Sequence, residues 1–148
     1  MKPRSHDAVN DFGRGDDNRS AKFSAYGRVP KKRKEPFSMD EFDQYRAAMN
    51  EKLLGSDHLG IKRFFALDTQ AYEDGALDKK TKELMGLTAS IVLRCDDCIT
   101  YHIKQCATVG VTREQFMDTF NVALVVGGSI TIPHLRRAVD RLDQVLQT

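Results

Sequence analysis

From Ser38 to the C-terminus, apolar residues recur at three- and four-residue spacing between helix-start and helix-stop signals, and no stretch alternates with period two for long enough to make a sheet. Ser38 followed by Glu41 is a capping box, and Phe42, Tyr45, Met49 and Leu53 mark one face as far as Gly55. A second helix is expected over about 57–73, with Ile61, Phe64, Phe65 and Leu67 on it, stopping near Gly75. Asp78 can cap a third, whose buried stripe is Leu84, Leu87 and Ile91. A fourth carries the cysteine segment and ends at Gly110, a left-handed stop. Thr112 with Gln115 repeats the capping box and opens a fifth helix holding Phe116, Phe120, Ala123 and Leu124, which Gly127-Gly128 breaks. Pro133 suits the first turn of a last helix through Ala138, Val139, Leu142 and Leu146. The fold class expected is all-α, a bundle of five or six helices over residues 38–148. Residues 116–132 are too apolar for a small bundle to hide alone, so contacts between subunits are expected.

Residues 1–37 are different in kind. They hold ten Lys/Arg against five Asp/Glu, so the net charge of +2 is a basic arm set against an acidic remainder. Lys31-Lys32-Arg33-Lys34 and Arg14-Gly15-Asp16 are short strings that arise often by chance. The arm reads as a low-complexity lead-in, flexible or derived from an expression vector, and nucleic acid is not the expected partner. No apolar run approaches the roughly 20 residues of a membrane helix, and the polar, charged N-terminus lacks the apolar h-region of a secretory signal, so the expected location is cytoplasmic with no membrane contact.

The three cysteines fall within twelve consecutive positions, which is no framework for an extracellular scaffold and points to redox chemistry or metal binding. Cys95 and Cys98 are three apart, so at the start of a helix their sulfurs can meet in a disulfide. The unpaired N–H groups and positive dipole there favour thiolate, the attacking species. His102 lies one turn beyond Cys98 and can take its proton. Glu83 sits on the preceding helix and, if the two helices pack antiparallel, can hold that imidazole in one tautomer. A metal reading of Cys95, Cys98, His102 and Cys106 fails on length. These ligands span about 16 Å of continuous helix, whereas zinc requires all of them at about 2.0–2.3 Å. Cys106 is expected to pack, as is His58 to be exposed at a helix start. Asp97, Tyr101 and His134 are possible accessories, Tyr101 lining the site or filling core and His134 capping, packing or meeting a subunit.

The pattern E-x11-C-x2-C-x3-H, with Gly127-Gly128-Ser129-Ile130-Thr131-Ile132-Pro133-His134 downstream, resembles the alkylhydroperoxidase D-like branch of the carboxymuconolactone decarboxylase superfamily over about 40–146. The resemblance implies an all-helical fold that assembles as trimers or hexamers. It implies hydroperoxide reduction or dithiol–disulfide exchange, with Cys98 peroxidatic, Cys95 resolving, and Glu83 and His102 relaying protons. No bound cofactor is implied, only an external dithiol reductant such as a protein-borne dihydrolipoyl group. Better-known peroxidase members carry a histidine just before the second cysteine, where this chain has Asp97, and an acid there disfavours the thiolate, as does Asp96. The alternatives are a decarboxylase acting on a lactone acid and a non-catalytic oligomeric binding protein whose arm meets a polyanion.

Overall fold

The computed structural model of the protein describes residues 38–147, so the expectations for the basic arm lie outside the described residues. Six α-helices follow one another: α1 (Met39–Leu54), α2 (Leu59–Ala71), α3 (Lys79–Val92), α4 (Asp96–Thr108), α5 (Arg113–Gly127) and α6 (Ile132–Gln147). The all-α expectation holds among the described residues. The starts follow the sequence grammar: Ser38 and Thr112 make complete capping boxes, and Asp78 accepts from the Thr81 amide. The second helix, expected from about residue 57, starts at Leu59, where His58 is the cap, its Nδ1 accepting from the Ile61 amide. Gly128, at φ +71°, ends α5, and a short 3-10 turn (Ser129–Thr131) that the sequence reading did not anticipate leads into α6. Gly127 must be glycine because a Cβ there would fall 2.4 Å from Thr131 Cγ2.

The core lies between α3, α4, α5 and α6. Leu87, Ile91, Ile99, Ile103, Phe116, Phe120, Ala123, Ala138 and Leu142 are buried together, and Cys106 packs among them as expected. Each large aliphatic or aromatic side chain withdrawn in this way contributes about 1.5–3 kcal/mol. The stripe expected on α1 is only partly right, since Phe42 is buried but Tyr45 and Leu53 face outward. α2 has no buried residue at all, and Phe64 is 68% exposed.

The α1–α2 hairpin is therefore not held by apolar burial alone. Beyond Phe42, polar and aromatic contacts tie it to α4. Asp43 pairs with Lys104, the Arg46 guanidinium lies 3.9 Å over the Tyr101 ring, and Tyr72, the residue capping the end of α2, reaches His102. The consequence is a cleft where the hairpin meets α4. A second exposed apolar surface, with Met85, Leu93, Val122 and Val126, lies along α3 and α5. Among the described residues no helix is long and apolar enough to cross a membrane.

Candidate active site

The site begins with the way α3 stops. Arg94 takes a left-handed conformation (φ 61°), its amide bonding to Ile91 O at 3.0 Å while the Cys95 amide bonds to Ser90 O at 3.1 Å. These two bonds satisfy the orphan carbonyls of the last turn and reverse the chain at once, so α4 starts on the next residue. Cys95 is itself the N-cap of α4, its Sγ accepting from the Cys98 amide at 3.3 Å. Cys98 thus stands in the first turn, where unpaired amides and the helix dipole favour negative charge on sulfur. Cys95 and Cys98 are joined by a disulfide, with their Cα atoms 5.3 Å apart.

One turn on, the His102 Nδ1 lies 2.8 Å from Glu83 Oε2. Both groups are withdrawn from water, Glu83 at 1% and His102 at 7% exposure. A carboxylate only accepts, so the imidazole proton sits on Nδ1 and the Nε2 lone pair is left for other donors. α3 and α4 pack side by side, which is how residues nineteen apart meet. Cys98 and His102 share a cleft of about 210 Å³ with Arg46, Asp68, Asp97 and Tyr101.

The other sequence-flagged residues sort themselves by position. Tyr101 is half-buried and lines the cleft, outside the buried core cluster. Asp97 lines it too. His134 does not. Its Nδ1 is 2.8 Å from Asp96 Oδ1, and Arg137 Nε is 2.9 Å from Asp96 Oδ2. Burial alone would raise the Asp96 carboxyl, but the hydrogen bonds from His134 and Arg137 outweigh it and hold the carboxyl below its ordinary range. The charge of Asp96 is thereby paired with His134 and Arg137 of α6. Cys106 is fully buried, and burial, followed by the charge of Glu83, pushes its thiol up to about 12. It stays protonated.

Two contributors escaped the sequence reading. The Tyr72 hydroxyl lies 3.5 Å from His102 Nε2. Gly86, one turn along α3 from Glu83, leaves the room for this meeting. A Cβ there would fall 2.6 Å from both His102 Cε1 and the Tyr72 hydroxyl, and 2.9 Å from His102 Nε2. The available signal was a glycine in the middle of a helix, which is costly unless packing requires it. Gly86→Ala sets a helix gain of about 0.5–1 kcal/mol against overpacking of about 1–3 kcal/mol. The overpacking falls on the imidazole, so the expected result is a change of only about 1–2 kcal/mol in urea-denaturation stability. The rate of any chemistry at Cys98, followed by stopped-flow thiol kinetics, falls about 10- to 100-fold.

Residues 61–141 match the model of the carboxymuconolactone decarboxylase family. Among curated proteins, the chain is 35% identical over 82 residues to an uncharacterised protein of the cox locus of Paracoccus denitrificans, covering 55% of this chain and 74% of that one. It is 31% identical over 84 residues to the alkyl hydroperoxide reductase AhpD of Corynebacterium kroppenstedtii, covering 57% of this chain and 45% of that one. Among solved structures, it resembles a carboxymuconolactone decarboxylase family protein of Thermotoga maritima for which a part in the antioxidative response has been suggested. That match has a TM-score of 0.70 and 52% identity, and covers 72% of this chain and 91% of that one. A family protein of Legionella pneumophila matches with a TM-score of 0.66 and 27% identity, covering 72% and 97%.

Proposed function

Given that this chain belongs to the carboxymuconolactone decarboxylase family, we propose that it is a thiol-dependent oxidoreductase, reducing hydroperoxides or exchanging disulfides at Cys95 and Cys98. The observation that carries this reading is one arrangement: a joined cysteine pair at a helix start, whose Cys98 lines a cleft shared with an imidazole fixed by a buried carboxylate. The similarity to an alkyl hydroperoxide reductase supports it.

In this cycle Cys98 is the attacking sulfur. His102 Nε2 takes its proton, with Glu83 holding the other nitrogen and balancing the charge that forms. The thiolate attacks the terminal oxygen of the hydroperoxide, an S–O bond forms as the O–O bond breaks, and the alkoxide leaves with the proton from His102. Cys95 then attacks the sulfenic acid, an S–S bond forms, and water departs. An external dithiol, such as a dihydrolipoyl group on a partner protein, restores the pair by exchange, so no resident cofactor is needed. Decarboxylation of a lactone acid would give the sulfur pair no role. Met85, Leu93, Val122 and Val126 form the surface on which copies of the chain would assemble, as a trimer or hexamer.

The test is thiol titration of the fully reduced protein before and after one equivalent of hydroperoxide. Two thiols disappear rapidly, and the third, Cys106, persists. Retention of all three thiols removes the peroxidase reading.

A further inference from the structure

His102 has one lone pair for hydrogen bonding, on Nε2, because its Nδ1 is committed to Glu83. Two donors can serve it. One is the thiol of Cys98 once the pair is reduced, since Cys98 and His102 line the same cleft. The other is the hydroxyl of Tyr72, 3.5 Å from Nε2 and delivered by the end of α2. While the pair is a disulfide, Cys98 carries no proton and cannot donate.

We propose that Tyr72 is a positioning residue that occupies the Nε2 lone pair of His102 during the disulfide half of the cycle and yields it to the Cys98 thiol on reduction. The idea rests on the oxidoreductase reading above and adds to it a partner for the imidazole when the thiol is absent.

Several observations support it independently of any assay. The space in which the Tyr72 hydroxyl meets Nε2 exists only because residue 86 is glycine, as any Cβ would strike both groups. A mid-helix glycine costs about 0.5–1 kcal/mol, so the opening is not free. The contact is long for a hydroxyl donor, which suits a partner that must be displaced in each cycle. Burial, and then the charges of Glu83 and Asp68, push the Tyr72 phenol up, so it remains a neutral donor. Of the other groups around the imidazole, Glu83, Asp68 and Asp97 are carboxylates that accept, Arg46 lies over the Tyr101 ring, and Tyr101 meets His102 ring against ring with centroids 5.2 Å apart.

The chemistry balances without Tyr72 losing its proton. An incoming dithiol delivers two electrons and two protons, the S–S bond breaks, and its own sulfurs join. One proton comes to rest on Cys98, which then donates to Nε2 as the Tyr72 hydroxyl turns away.

The experiment is a long-range ¹H–¹⁵N spectrum of the His102 ring in the full chain, wild type and Tyr72→Phe, each as disulfide and after reduction. Phenylalanine keeps the ring and its packing, and a Tyr72→Leu chain serves as a control for loss of the ring itself. In the disulfide form, Tyr72→Phe moves the Nε2 resonance downfield toward that of a free pyridine-type nitrogen, while Nδ1 stays protonated against Glu83. After reduction the two chains converge, because Cys98 is then the donor in both. Identical Nε2 positions in the disulfide forms overturn the proposal, and so does a difference that persists undiminished in the reduced forms. With tert-butyl hydroperoxide as oxidant and dihydrolipoamide as reductant, Tyr72→Phe lowers kcat about 2- to 10-fold at unchanged KM. A wild-type chain inert to both reagents sinks the oxidoreductase reading while leaving the spectral result to decide the Tyr72 assignment.

Discussion

Cys98→Ser brings hydroperoxide turnover down to the uncatalysed background, a loss of at least about 10³-fold. A serine hydroxyl at the same place is neither ionised by the helix start nor nucleophilic enough to open an O–O bond, so nothing else in the cleft can substitute. The loss is chemical, not structural. The disulfide joins residues only three apart, and cross-linking so short a loop is worth about 2 kcal/mol in the chain-entropy account. The core of α3–α6 does not depend on it, and circular dichroism of the variant matches that of the wild type. Cys95→Ser separates the two sulfurs by role. It still reacts once with hydroperoxide but has no partner to close the disulfide, so a Cys98 sulfenic acid accumulates and is captured by dimedone. If Cys98→Ser turns over hydroperoxide at the wild-type rate, the assignment of the attacking sulfur is wrong.

Glu83 gives the second large effect, on stability as well as rate. The carboxylate is buried and holds His102 at 2.8 Å. Glu83→Ala leaves the buried Nδ1–H without an acceptor and opens a cavity between α3 and α4. The expected cost is about 2–4 kcal/mol in urea denaturation. The imidazole also loses its fixed tautomer, and turnover falls about 10²- to 10⁴-fold, the range a general base supplies. Glu83→Gln keeps the volume and an accepting oxygen but loses the charge that balances a protonated imidazole. It retains most of the stability while losing about 10- to 10²-fold in rate. The contrast between the two variants divides holding the ring from charging it. Wild-type turnover by Glu83→Ala would show that the buried pair serves the fold alone.

Much of this architecture is readable residue by residue. Capping chemistry is local, because an N-cap side chain bonds an amide two or three positions away. Ser38, Asp78 and Thr112 therefore announce their helices regardless of what packs around them. The same locality puts Cys98 and His102 on one face of α4. It named no cap where unusual residues stand in, although both positions read as helix starts. His58 caps α2 and Cys95 caps α4, although neither imidazole nor sulfur is a common choice. Arg94 adopts the left-handed turn usually given to glycine, so the abrupt junction of α3 and α4 carried no glycine to mark it. Periodicity also misled on α1 and α2. Tyr45, Leu53, Phe64 and Leu67 repeat at helical spacing yet face outward in the single chain, because period says that a face is apolar and not what covers it.

The sequence by itself determined the helices, the order in which they come, and which thiol and imidazole share a turn. All of these depend on neighbours within about four residues. The tertiary structure alone decided three things. It set the 2.8 Å approach of Glu83 to His102, the pairing of Asp96 with His134 and Arg137, and the meeting of Tyr72 with Nε2 over Gly86. Those contacts join residues nineteen to some forty positions apart. Their distances follow from how closely packed helices approach, which no local spacing in the chain encodes.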